Sequence, residues 1–272
     1  MEYISGKEVA QQIKEKIKLE VNSLERKPSL AILLNKDDES SKGYVKALKK
    51  TADELSILVN IIEMEQEERK YITMIETLNE DDSVDAVLIT RPLNNLDENK
   101  IISKLKSSKD VDGIDPINLG KLFTGQEIIV PSTAMAMIKM LEYYDIPLKG
   151  KNVLVVGRSL SVGKPMACLL LNRHATVSIA HSRTENLKQM LNQYDIVIAA
   201  VGKPHILDGH DMKEGAIVID AGIHYTEDGI KGDVKPADKL KYLSKVPGGV
   251  GPITTACLME SVLQCYKENN NG

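Results

Sequence analysis

The residues best suited to chemistry sit behind a short apolar run. Val153–Val156 leads directly into Gly157, Arg158 and Ser159, and Gly163 stands where the next helix should open. A glycine at a strand end allows a tight turn. A glycine at a helix start lets a phosphate approach the free N–H groups and the positive end of the helix. The spacing is not G-x-G-x-x-G, because Ser159 takes the place of the second glycine. Nor is it a Walker A loop: five residues separate Gly157 from Gly163, and Pro165 follows Lys164 where Ser or Thr is required. Gly157-x-Ser159-x-Ser161 also lacks the closing glycine of a nucleophile elbow. On spacing alone, a nucleotide site and a structural strand–helix turn both stay open.

The next apolar run, Thr176–Ala180, ends in His181, Ser182 and Arg183. A site that reads NAD places Asp or Glu there to hold the ribose 2′-hydroxyl, but here no acid occurs before Glu185. A hydroxyl and a guanidinium suit a 2′-phosphate, and Arg158 adds a second positive fork. The pattern therefore favours NADP over NAD. The alternative is that Ser182 and Arg183 merely cap the following helix.

Other constellations carry less. Lys109–Asp115 concentrates acids, but glycine falls fourth from Asp110 and the twelfth residue is Lys121, which excludes an EF-hand loop. Read by itself, the stretch is a turn. No two of the five histidines have the i, i+4 spacing of zinc ligands, and no metal site is expected. Tyr44, with Lys46, Lys49 and Lys50 nearby, is either a proton-transfer site or part of a solvated basic helix face.

These residues must be positioned by alternating elements. Strands are expected at Ser29–Leu34, Leu58–Ile62 and Val84–Thr90. Helices are expected at Lys42–Leu55, with Val45, Leu48, Ala52 and Leu55 on one stripe, and at Glu67–Leu78. A Met-rich helix runs from Pro131 to Tyr144, and the rhythm then restarts: strand Asn152–Val156, helix from Gly163, strand Thr176–Ala180, helix to Asn192, strands Ile196–Ala200 and Ala216–Asp220. A Gly/Pro loop, Pro247–Pro252, precedes a last helix, Thr254–Lys267. Two βαβ series imply two α/β domains with a cleft between them.

Composition agrees. The 272 residues carry 35 Lys+Arg against 39 Asp+Glu, a net charge of −4, with 42% apolar residues. That balance argues against binding nucleic acid through bulk charge, and no apolar run is long enough to span a membrane. Met1–Gly6 does not read as a secretory signal. Cys168, Cys257 and Cys265 are odd in number with no Cys-x-x-Cys, as expected of buried thiols in a reducing cytoplasm.

Six stretches together resemble the methylenetetrahydrofolate dehydrogenase/methenyltetrahydrofolate cyclohydrolase family along nearly the whole chain: Ser41–Leu55, Lys109–Asn118 (KDVDGIDPIN), Gly150–Ala167, His181–Thr184, Gly215–Ile223 and Val246–Thr254. The resemblance implies a folate-binding catalytic domain, residues 1–130 plus 253–272. A linker helix and Rossmann-like NADP-binding domain would cover 131–252, with long helices joining the two. It implies oxidation of 5,10-methylenetetrahydrofolate by NADP and hydrolysis of the methenyl product to 10-formyltetrahydrofolate. It also implies a cytoplasmic homodimer active in one-carbon metabolism and purine biosynthesis. Gly157, Arg158, Ser159, Gly163, Ser182, Arg183 and Ile223 fall at cofactor positions. Tyr44, Leu48, Thr90, Pro92, Leu93 and Asp112, with Pro247, Gly248, Gly249, Val250 and Gly251, fall at substrate positions. By the same resemblance Tyr44 and Asp112 would be the catalytic pair and Asp112 would hold the pterin, which overturns the turn-only reading of its loop.

The departures bear on activity. The family pattern Tyr-x-x-x-Lys reads Tyr44 followed four residues on by Leu48. The strand-end Val-Gln-Leu-Pro-Leu reads Ile89-Thr90-Arg91-Pro92-Leu93, and Pro-Cys-Thr-Pro-x-Gly reads Pro131-Ser132-Thr133-Ala134-Met135-Ala136. The lysine moves protons and the glutamine supports it, so both members of that pair have changed. Hydride transfer is carried by the cofactor, whereas hydrolysis needs water activated and protons moved. Lys49 lies one helical step, about 100°, from position 48. The sequence thus points to an NADP-dependent dehydrogenase with weak or absent cyclohydrolase activity. The alternatives are a fully bifunctional enzyme using Lys49 or water, and a catalytically weak folate- or nucleotide-binding protein.

Overall fold

The computed structural model describes residues 1–270, which divide into two compact units. The chain opens with β1 (Glu2–Ile4) and α1 (Lys7–Val21), and α1 is divided between the units after Gln12.

One unit spans Ile13–Val130 and takes in the chain from Leu258 onward. Its elements are β2 (Ser29–Asn35), α2 (Glu39–Glu54), β3 (Leu58–Met64), α3 (Glu68–Glu80), β4 (Ala86–Ile89), α4 (Glu98–Ile102) and α5 (Pro116–Phe123). The strands form a parallel sheet in the order β3-β2-β4. The central β2, Ser-Leu-Ala-Ile-Leu-Leu-Asn, is buried on both faces, which is why it reads as a continuous apolar run. The α2 stripe of Val45, Leu48, Ala52 and Leu55 is buried throughout. Residues 109–111 run beside β4: Val87 N–H donates to the Lys109 carbonyl at 2.7 Å, and a parallel bridge joins Val87 to Asp110. That docking carries Asp112 to the carboxyl end of β4.

The other unit spans Met1–Gln12 and Pro131–Cys257. It contains α6 (Ser132–Tyr143), β5 (Asn152–Val156), α7 (Gly163–Asn172), β6 (Thr176–Ala180), α8 (Leu187–Leu191), β7 (Ile196–Ala199), β8 (Leu207–Asp208), β9 (Ile217–Asp220), β10 (His224–Thr226), β11 (Gly229–Lys231), β12 (Val234–Lys235) and β13 (Tyr242–Ser244). A parallel six-stranded sheet has the order β1-β13-β9-β7-β5-β6. The last helix, α9 (Val250–Asn270), is divided after Cys257.

The structure differs from the expected bounds at three points. Residues 1–12 belong with the second unit, not with 13–130, because β1 pairs in parallel with β13 through Tyr3 and Leu243. The division of the last helix lies at Cys257, not at residue 253; residues 271–272 of that expected segment lie outside the described residues. The helix also begins at Val250, so Gly251 and Pro252 stand in its first turn. First-turn N–H groups have no partner within the helix, so the N–H that Pro252 lacks is not missed and the residue does not break the helix. Among the described residues, no helix is long and apolar enough to cross a membrane.

Candidate functional site

In the first unit, three side chains from separate segments converge. Tyr44 comes from α2, Arg91 follows β4, and Asp112 lies on the loop docked along that strand. Arg91 Nη2 lies 3.5 Å from Asp112 Oδ2, with 25% and 22% of the two side chains exposed. Burial pushes the Asp112 carboxyl up from its ordinary range, and Arg91 opposes that shift. Tyr44 as a whole is 41% exposed, but desolvation of its hydroxyl raises the phenol above its ordinary value, the Asp112 charge adds to this and Arg91 counters it. Tyr44 therefore remains a protonated hydroxyl at neutral pH.

The other acids of this loop are scaffold. Asp115 caps α5 by accepting from Ile117 N–H at 2.8 Å. Asp110 accepts from Asp115 N–H at 2.9 Å and from Asn118 Nδ2 at 3.3 Å, and burial pushes its carboxyl up to about 7. The turn reading holds for these two, while Asp112 alone remains partly open.

Leu48, Thr90 and Leu93 are enclosed, at 0%, 5% and 2% exposure. Leu93 belongs to the apolar core with Leu33, Tyr71 and Ile101. Thr90 Oγ1 donates to the Leu33 carbonyl at 3.1 Å and accepts from Asn35 N–H at 3.4 Å. These three side chains are thus engaged with the protein itself, and only Pro92 of the strand-end group is exposed. Lys49 is exposed on another face of α2 and pairs with Asp53 at 3.7 Å.

In the second unit, β5 and β6 run in parallel and in register, Val156 opposite Ala180, so Gly157–Ser159 and His181–Arg183 emerge side by side at the carboxyl ends of the two strands. Gly157 has φ +132°, and a Cβ there would meet the Ala200 carbonyl at 2.2 Å, so only glycine lets the chain pass. Ser159 Oγ accepts from Val162 N–H at 3.1 Å and from Gly163 N–H at 3.4 Å, which shapes the entry to α7. His181 N–H donates to Thr184 Oγ1 at 2.9 Å and Arg183 N–H to His181 Nδ1 at 3.1 Å. That turn leaves Ser182 and Arg183 exposed, and neither caps α8, whose N-cap is Asn186. Arg158 is likewise exposed, and neither arginine pairs with an acid among the described residues. Two guanidinium forks and a hydroxyl beyond adjacent strand ends are a donor set that fits a nucleotide phosphate.

The Pro247–Gly249 turn and the first residues of α9, Val250 and Gly251, also lie in this unit. Gly6 N–H donates to the Gly248 carbonyl at 2.9 Å, and a Cβ on Gly6 would meet the Gly249 carbonyl at 1.9 Å. Ile223 is 53% exposed. Among the described residues no group of His, Cys, Asp or Glu could hold a metal ion.

Two family models match the chain: the tetrahydrofolate dehydrogenase/cyclohydrolase catalytic domain over residues 4–112, and the NAD(P)-binding domain of the same enzymes over residues 131–270. The chain belongs to the tetrahydrofolate dehydrogenase/cyclohydrolase family. The bifunctional protein FolD of Campylobacter hominis is 40% identical over 98% of each chain. A solved FolD methylenetetrahydrofolate dehydrogenase/cyclohydrolase from Campylobacter jejuni is 38% identical, with TM-score 0.94 over 98% of this chain and 99% of that one. The Trypanosoma brucei enzyme, solved with NADP and an inhibitor, is 30% identical, with TM-score 0.93 over 100% and 99%.

As a member of the tetrahydrofolate dehydrogenase/cyclohydrolase family, the chain is an enzyme with an NAD(P)-binding domain and a two-domain α/β fold. Sequence reading missed three residues around its sites. Arg91 was visible as a charge inside an apolar motif but was given no part. Asp233 accepts from Val201, Gly202 and Lys203 N–H at 2.6–3.0 Å and pairs with His224 at 2.7 Å, holding the loop after β7. Asp220 accepts from Gly222, Asp233 and Val234 N–H, and burial pushes its carboxyl up to about 6. The partners of Asp233 in that loop lie 30 to 32 residues away, beyond any local pattern.

Proposed function

We propose that this chain oxidises 5,10-methylenetetrahydrofolate to the methenyl form with NADP, and hydrolyses the methenyl product weakly. NADP, when bound, supplies the hydride acceptor. Arg158, Ser182 and Arg183 would bind its 2′-phosphate, and Asp112 would accept the ring N–H groups of the pterin. The raised Tyr44 phenol donates a hydrogen bond and does not act as a base.

The observation that carries the weak hydrolysis is the state of the proton-transfer positions. Leu48 is an enclosed hydrocarbon, the Thr90 hydroxyl is taken up by Leu33 and Asn35, and Lys49 is paired with Asp53 on the exposed side of α2. A guanidinium is a donor and not a proton relay, so Arg91 does not replace the lysine. A second reading, full bifunctionality, is supported by 40% full-length identity to proteins named bifunctional. Absorbance separates the two: reduced-cofactor formation reports oxidation, and methenyl decay reports hydrolysis. Methenyl decay accelerated well above the buffer rate supports the second reading and refutes the first.

A cytoplasmic homodimer is the accompanying reading. Cys168, Cys257 and Cys265 form no disulfide among the described residues, which supports the compartment. The outer edge of β6, with Leu171 and Ile179 exposed nearby, supports the dimer.

A further inference from the structure

Arg91 occupies the position where the family strand-end motif carries leucine, and it faces Asp112 directly. The charged or titratable groups around Asp112 are Tyr44 from α2, Arg91 from the end of β4, and Asp110 from its own loop. Arg91 is the only cation among them. Its neighbours Thr90 and Leu93 are taken up by the sheet and the core, and Arg91 has no other ion pair among the described residues.

We propose that Arg91 is a positioning residue for substrate binding: its guanidinium engages one oxygen of Asp112 and leaves the other presented to the ring N–H groups of a pterin. The proposal rests on the folate reading above. Enclosure disfavours a carboxylate that has no partner, and a guanidinium alongside offsets that cost. Leucine supplies neither charge nor donor. A guanidinium also does not release its proton, so this cation serves binding without restoring the lysine's proton relay.

The test uses Arg91→Leu and Arg91→Lys in the full chain. Carbon-13 NMR follows the Asp112 carboxyl in ligand-free protein, calorimetry follows tetrahydrofolate binding, and steady-state kinetics separate KM from kcat. Arg91→Leu should raise the Asp112 titration midpoint and move the acid limb of kcat/KM for folate upward. It should weaken tetrahydrofolate binding and raise the folate KM by about tenfold, with NADP affinity unchanged. Arg91→Lys should restore most of each effect. Should Arg91→Leu fail to fold, Arg91→Gln takes its place with the same expectations. An unmoved Asp112 midpoint with unchanged tetrahydrofolate affinity overturns the proposal, as does a lysine variant no better than the leucine one. If the parent protein reduces no NADP while the Asp112 midpoint still moves and tetrahydrofolate still binds through it, the dehydrogenase reading fails and the positioning role stands.

Discussion

The Thr90 hydroxyl donates to the Leu33 carbonyl at 3.1 Å, across the pair of strands β4 and β2. The Thr90 side chain is thereby taken up by its own sheet. With Leu48 enclosed, neither side chain is free to move a proton.

Hydrolysis should therefore fall by about 10²- to 10⁴-fold relative to a lysine-bearing relative, the usual contribution of a general acid or base. The double change Leu48→Lys with Thr90→Gln should raise methenyl decay. Leu48→Lys alone should destabilise the fold, because it encloses an ammonium without its supporting amide. Lys49→Ala should leave decay unchanged. Rapid decay in the parent protein that Lys49→Ala abolishes would show that the neighbouring lysine had taken over.

Cofactor preference is expected to lie in three exposed side chains. Arg158→Ala should lower NADP affinity by roughly ten- to a hundredfold, the worth of one or two charge-assisted hydrogen bonds, and leave NAD use little changed. Turnover ratios for the two cofactors check this. Equal ratios before and after the substitution would remove the 2′-phosphate from the assignment.

Asp112→Ala should weaken tetrahydrofolate binding and spare NADP. The carboxylate lies in the Ile13–Val130 unit, and the glycine loop lies in the Pro131–Cys257 unit. Titrating each ligand separately decides it; a variant that lost NADP alone would contradict the assignment.

Asp110 should make stability pH-dependent. Its carboxyl is pushed up to about 7 by burial, whereas an unfolded aspartate titrates near ~3.9. A raised folded value contributes stability that is fully present below ~3.9 and is lost as pH rises through about 7. Asp110→Asn keeps an oxygen for the Asp115 N–H and removes the titration. Its stability relative to the parent should rise between about pH 5 and pH 8, by on the order of 1–4 kcal/mol. Urea melts at the two pH values measure the difference, and an equal difference at both would exclude Asp110 as the source.

Gly6→Ala should displace the Pro247–Gly249 turn or destabilise the second unit, because the added methyl would meet the Gly249 carbonyl at 1.9 Å. A comparable melting temperature together with unaltered folate kinetics would show that the backbone there adjusts at little cost.

Periodicity and turn chemistry determined most of the framework in the sequence itself. The β2 run, the α2 stripe and the strands Asn152–Val156 and Thr176–Ala180 are local patterns, so burial on one face or two is written into adjacent residues. Motif matching added the residues of the glycine loop and Asp112. Tertiary structure decided what those patterns cannot hold. β1 joins a sheet whose partner strand begins at Tyr242, and Gly6 meets a glycine loop more than 240 residues away. Position 90 is engaged with a carbonyl 57 residues back. Arg91 and Asp112, 21 residues apart, become partners only because residues 109–111 dock along β4. A hydrogen bond or an ion pair depends on two groups meeting in space, and chain order does not encode that meeting until the sheet is built.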